Sequence, residues 1–111
     1  MAMTVAAVAA AVIALRVSDL SAGTYPVQLQ GYALTDEPLR LTVQIETFQS
    51  AQIVDIDVGE ESNRVIITIH ARVNPNTFDF TTYRTVAVSL RTPLGTRVVV
   101  DGSRGTEVRR Q

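Results

Sequence analysis

Between Gln52 and Val73 apolar and polar residues alternate in two runs whose phases agree. With Ser62 and Asn63 at the tip, Val54, Ile56 and Val58 fall opposite Ala71, Ile69 and Ile67, leaving Asp55, Asp57, Thr68 and His70 on the other face. Period-two alternation marks a strand, and a slip of one residue would turn the whole apolar set toward water, so each run fixes the register of the other. The pattern predicts a hairpin with one packed and one solvated face.

The same alternation recurs along the chain. Val27 and Leu29 alternate with Gln28 and Gln30 in a first strand over 24–30, where Pro26, lacking an amide donor, requires an edge or a strand start. Gly31 to Pro38 reads as the next connection, with the alternative that Tyr32 and Leu34 continue the alternation. From Leu39 to Thr47, Leu39, Leu41, Val43 and Ile45 are expected inward and Arg40, Thr42, Gln44 and Glu46 outward. Asn74-Pro75-Asn76 stops the second hairpin strand. Arg84 to Leu90 is a further strand with Val86, Val88 and Leu90 inward, Arg97 to Val100 the last full one, and Thr106 to Arg109 a short strand pairing back across the Asp101 to Gly105 turn. Six or seven short strands with turn chemistry between them predict an antiparallel β-sandwich or small barrel, with an immunoglobulin-like sandwich as the expected architecture.

Composition agrees. The 111 residues are one domain's worth, 46% hydrophobic but only 5% aromatic, so the core must be built from Val, Ile, Leu and Ala. A net charge of −1 offers no field for nucleic acid or an anionic membrane, and nucleic acid is not an expected partner. All ten basic residues are Arg. The absence of Cys removes thiol catalysis, thiolate metal sites and disulfides together.

Residues 1–17 stand apart. From Met1 to Leu15 only Thr4 is polar and seven residues are Ala. Three readings are open: a signal or anchor-like segment, an Ala-rich helix packed on the domain or a partner, and an interfacial anchor giving N-terminal membrane association. Residues 18–24 read as a linker, and 25–111 as the sandwich domain.

Candidate chemistry is sparse. The hairpin register sets Asp55 opposite His70 and Asp57 opposite Thr68, a cross-strand ionic cluster whose donors suit a divalent cation but whose expected state is a solvated ion pair on a flat face. Arg97, Asp101, Arg104 and Glu107 gather near the last turn, where arginine forks could clamp an anion, although the expected state is a solvated hairpin end with Asp101 accepting bonds from the turn backbone. Phe78, Phe80 and Tyr83 occupy the longest irregular stretch and its exit. Phe78 and Phe80 are expected either to plug one end of the core or to form a recognition ridge. The single His lies mid-strand and no phosphate-cradling glycine loop is present, so the expectation is a protein without catalytic residues, cofactor or bound metal.

The stretch from Val86 to Gly105 resembles the tail of small secreted or lipid-anchored bacterial β-domains of uncharacterised activity. In those, a strand runs into Pro-Leu-Gly, then Arg, then a valine run ending in Asp-Gly and a second glycine, as at Pro93-Leu94-Gly95, Arg97, Val98 to Val100, Asp101-Gly102 and Gly105. The resemblance covers about a fifth of the chain and implies an extracytoplasmic location, with no catalytic residues to carry over. The resulting expectation is a non-catalytic, surface-associated protein-interaction domain with an unidentified protein partner. The alternatives are a structural subunit of a homo-oligomeric assembly and a small-ligand or metal-binding β-module.

Overall fold

A computed structural model of the protein describes residues 23–73 and 80–111; the Ala-rich segment, nearly all of the linker, the Asn74-Pro75-Asn76 turn and Phe78 lie outside them. The strands are β1 (Thr24–Pro26), β2 (Gln28–Leu34), β3 (Arg40–Phe48), β4 (Gln52–Glu60), β5 (Arg64–Arg72), β6 (Thr81–Ser89), β7 (Val98–Asp101) and β8 (Thr106–Val108). Two sheets form a β-sandwich. One holds β2, β3 and β6; the other holds β4, β5, β7 and β8, with β1 also on β5.

The hairpin that the sequence sets out is β4 and β5. Asp55 pairs with His70, Ile56 with Ile69, Asp57 with Thr68 and Val58 with Ile67, and the Glu61 amide closes the turn on the Arg64 carbonyl. Nearer the start of β4 the register shifts by a bulge, so that Ile53 rather than Val54 stands opposite Ala71. The core face of β5 is buried as its alternation requires: Val65, Ile67, Ile69 and Ala71 are all inaccessible. They meet Leu41, Val43 and Ile45 of β3, Leu29 of β2, Val88 and Val99 in one apolar cluster. Burial of branched side chains holds the sheets together, each worth about 1.5–3 kcal/mol.

Two strands share the second flank of β5. β1 runs antiparallel along its last three residues, Thr24 opposite Arg72 and Pro26 opposite His70, while β7 runs parallel along its first four, Arg64 opposite Val98 through Ile67 opposite Asp101. This parallel pair corrects the expectation of a wholly antiparallel sandwich. The chain reaches β7 from β6 in the other sheet, and that crossing, unlike a tight hairpin, leaves strand direction free. β8 then pairs back on β7 antiparallel.

The first strand is divided, not continuous. At Val27 the chain leaves β5, its amide still donating to the Ile69 carbonyl, and from Gln28 it pairs with β3. Pro26 sits at the step, where its missing amide costs no ladder bond. β2 then continues through Leu34, following the alternation that Tyr32 and Leu34 offer rather than the connection, with an irregularity between Leu29 and Gly31. β3 begins at Arg40, and Leu39, expected inward, is exposed in the loop before it. The carboxy end closes this side of the sandwich: the Tyr32 amide donates to the Arg109 carbonyl and the Gln111 amide to the Tyr32 carbonyl.

Candidate functional site

Asp101 ends β7 on the core side of the sheet and is fully buried, contrary to the expectation of a solvated turn residue. Its Oδ1 accepts the amide and hydroxyl of Ser103, and its carbonyl accepts the amides of Arg104 and Gly105. The backbone acceptance expected for the turn is therefore present. Oδ2 accepts the Leu29 amide at 3.1 Å and Nε of Arg104 at 3.2 Å. The Leu29 bond crosses from one sheet to the other, beside the irregularity in β2 and the step by which β1 leaves β5. A buried carboxylate is tolerated only when charge and lone pairs are met, and each oxygen here has two donors. Gly102 brings the turn against β5, its amide donating to the Ile67 carbonyl, where a Cβ would overlap the Thr68 hydroxyl. The left-handed residue of this turn is Gly105, at φ 69°.

Arg97 lies beside the β4–β5 turn and serves a different structure. Its Nε donates to the Leu94 carbonyl, Nη1 to the Glu61 carbonyl, and Nη2 to the Thr92 and Pro93 carbonyls and to Oε1 of Glu60. Glu60 also accepts the amides of Arg91 and Thr92. The two side chains are 11% and 12% exposed, so this pair is enclosed and holds the loop between β6 and β7 against the β4–β5 turn. Burial by itself would raise the Glu60 carboxyl, but the amides of Arg91 and Thr92 and the Arg97 guanidinium outweigh it and hold it below its usual range. Sequence reasoning missed Glu60. Its partners are more than thirty residues away, and nothing local marks an acid that caps a distant loop.

Arg97, Asp101 and Arg104 therefore do not form one anion clamp. Arg97 is committed to the loop carbonyls, Arg104 lies against Asp101, and Asp101 belongs to the core. Beside the loop that Arg97 holds, Leu34, Pro38, Leu90, Pro93 and Leu94 line a small, mainly apolar hollow of about 190 Å³. That is below the roughly 300 Å³ at which pockets for drug-sized ligands begin.

The cross-strand cluster forms in the predicted register but is enclosed. His70 Nδ1 lies 3.8 Å from Asp55 Oδ2, with side chains 10% and 6% exposed. The expected solvated pair is thus corrected to a buried one, with β4 on one side of His70 and Pro26 of β1 on the other. Asp57 is partly buried beside it. Among the described residues no group of three or more acidic, His or Cys side chains is arranged to hold a metal ion.

Four of the five described aromatic residues, Tyr25, Phe48, Phe80 and Tyr83, lie toward one end of the sandwich, while Tyr32 lies mid-strand against the carboxy-terminal residues. Tyr25 bonds the Thr47 hydroxyl and stacks edge-on with Phe48, ring centroids 6.0 Å apart. Phe48 pairs with Thr81, and the Gln49 amide donates to the Phe80 carbonyl. Phe80 is 67% and Tyr83 60% exposed, with Phe48 partly exposed beside them. Phe80 thus lies on the surface and does not plug the core. Gly23, where the described chain begins, lies at this same end, its carbonyl accepting the Val73 amide.

Comparison with known proteins returns no match: no family model, curated protein or solved structure is significantly similar to this chain.

Proposed function

We propose that this chain is a non-catalytic, extracytoplasmic and surface-associated domain that binds a protein partner through the aromatic end of an immunoglobulin-like sandwich. The observation that carries the reading is the exposure of Phe80 and Tyr83 beside Phe48. Aromatic side chains are enriched where proteins meet, because each offers a large, stiff contact area at little entropic cost. The location rests on the resemblance of the Val86 to Gly105 stretch to secreted and lipid-anchored domains. It is supported by the apolar run of residues 1–15, which precedes the aromatic end in the chain. The sheet-switching first strand supports the immunoglobulin-like type. The two charged clusters nearest the termini of β4 and β7 are engaged in holding loops and sheets, which supports a binding role over a chemical one.

The reading is tested with the full chain in an export-competent host, carrying a photo-reactive phenylalanine analogue at position 80 or, as control, at position 62. The expected result is one protein adduct from position 80 and none from 62, on a domain that external protease reaches in intact cells. A protected domain, or adducts from both positions or neither, would overturn it.

A further inference from the structure

The four lateral edges of the two sheets are treated unequally. β2 is covered by the carboxy-terminal residues, through Tyr32, Arg109 and Gln111. β1 and β8, which share the second side of the other sheet, are each only three residues long. β4 is long but broken by its bulge and carries Asp55, Asp57 and Glu60. Among the described residues β6 has no such protection. Over nine residues it keeps unbroken register with β3, it contains no proline or glycine, and Arg84 is its one charge. Among the described residues it pairs with β3 alone. A long, regular edge of Thr, Tyr and Val presents a row of backbone donors and acceptors suited to another strand.

We propose that β6 is a homodimer interface, in which the β6 strands of two copies pair antiparallel about a two-fold axis at Thr85 and join the two three-stranded sheets into one of six. The argument for a second copy is the strand's own symmetry. Full overlap of residues 81–89 sets Thr85 opposite itself, Arg84 opposite Val86, Tyr83 opposite Ala87, Thr82 opposite Val88 and Thr81 opposite Ser89. No like charges meet, and each Tyr ring lies over a small residue. Arg84 is further turned to the Gln49 carbonyl at 2.7 Å. The same operation on β4 would set Asp55 against Asp57 twice, a repulsive arrangement. The two free edges thus differ in the way that separates an interface from a guarded edge. The inference does not depend on where the domain resides; it shares Tyr83 with the aromatic end, and in the joined sheet that ring stays on the outer face, over the partner strand.

Thr85 is exposed, so a charge there leaves the monomer intact while placing like charges face to face on the axis. Sedimentation of the full chain should show a concentration-dependent dimer, weakened at least tenfold by Thr85→Glu and by Thr85→Lys separately, and restored when the two variants are mixed. Because the chain has no Cys, Thr85→Cys should also cross-link as a dimer, whereas Thr92→Cys on the far loop should not. The proposal is overturned by a monomer at all accessible concentrations, by an open series of higher oligomers, or by a dimer that ignores both charges. It is equally overturned by a dimer weakened by each charge but not restored in the mixture.

Discussion

The Leu29 amide donates across the gap between the two sheets, at 3.1 Å, to Asp101, whose carboxylate is fully buried. β1 and β7 approach the same flank of β5 from opposite directions and end near one another, and the chain of β1 then departs for the other sheet. That departure leaves an amide without a ladder partner at the irregularity in β2. Asp101 supplies the acceptor while fixing its own turn through Ser103.

Replacing Asp101 with Ala leaves buried donors of Leu29 and Ser103 unmet, and should cost about 2–4 kcal/mol of folding free energy. Arg104→Ala removes the half-exposed cation beside this buried charge but leaves its amide and hydroxyl donors in place, and should cost less than Asp101→Ala, about 1–2 kcal/mol. Urea unfolding of both variants checks the contrast, and equal losses would assign the stability to the ion pair instead of the amides.

Acid should loosen the β6–β7 loop. Because the Glu60 carboxyl is held below its ordinary value of 4.5, the stability it contributes is fully present above that value and is lost as pH falls through the lower folded one. Stability measured between pH 6 and 3 should therefore fall less steeply in Glu60→Gln than in the parent chain. A parent and variant with parallel pH profiles would show that Glu60 contributes nothing in this window.

Gly102 is required by close approach, not by backbone angle. A Cβ there would overlap the Thr68 hydroxyl and lie 3.2 Å from Thr68 Cβ and Ile66 Cγ2, both parts of stiff β-branched side chains. Gly102→Ala should destabilise by about 1–3 kcal/mol, as overpacking does. Thr68→Ala in the same chain should recover part of that loss, which a double-mutant cycle measures.

Ile56 and Ile69 face one another across β4 and β5 but should respond differently to truncation. Ile69 is inaccessible and Ile56 is 38% exposed. Ile69→Ala should cost about 2–5 kcal/mol and Ile56→Ala about 1 kcal/mol or less, read by thermal or denaturant unfolding.

Much of the hairpin was legible because alternation is a local property: the pairing of Asp55 with His70 and of Val58 with Ile67 follows from phase and turn position alone. The same logic placed Leu41, Val43 and Ile45 in the core and predicted the return of β8 on β7. The bulge at Val54 escaped it, since inserting one residue in a ladder leaves no compositional mark. So did the burial of Asp55 and His70, because pattern gives the face of a strand and not what lies over that face.

By itself the sequence determined a β-sandwich built from branched aliphatics, the strands that fill it and the turns between most of them. These depend on periodicity, proline and glycine chemistry and composition, all of which act within a few residues. The tertiary structure decided the rest: the parallel seating of β7 on β5, the transfer of the chain at Val27 between sheets, and the separate duties of Arg97 and Asp101. Each depends on groups far apart in the chain, 36 residues for Arg97 and Glu61 and 72 for Leu29 and Asp101. Such partners are chosen by which backbone donors and carbonyls the packed sheets leave unmet, and that is fixed only once the sheets have come together.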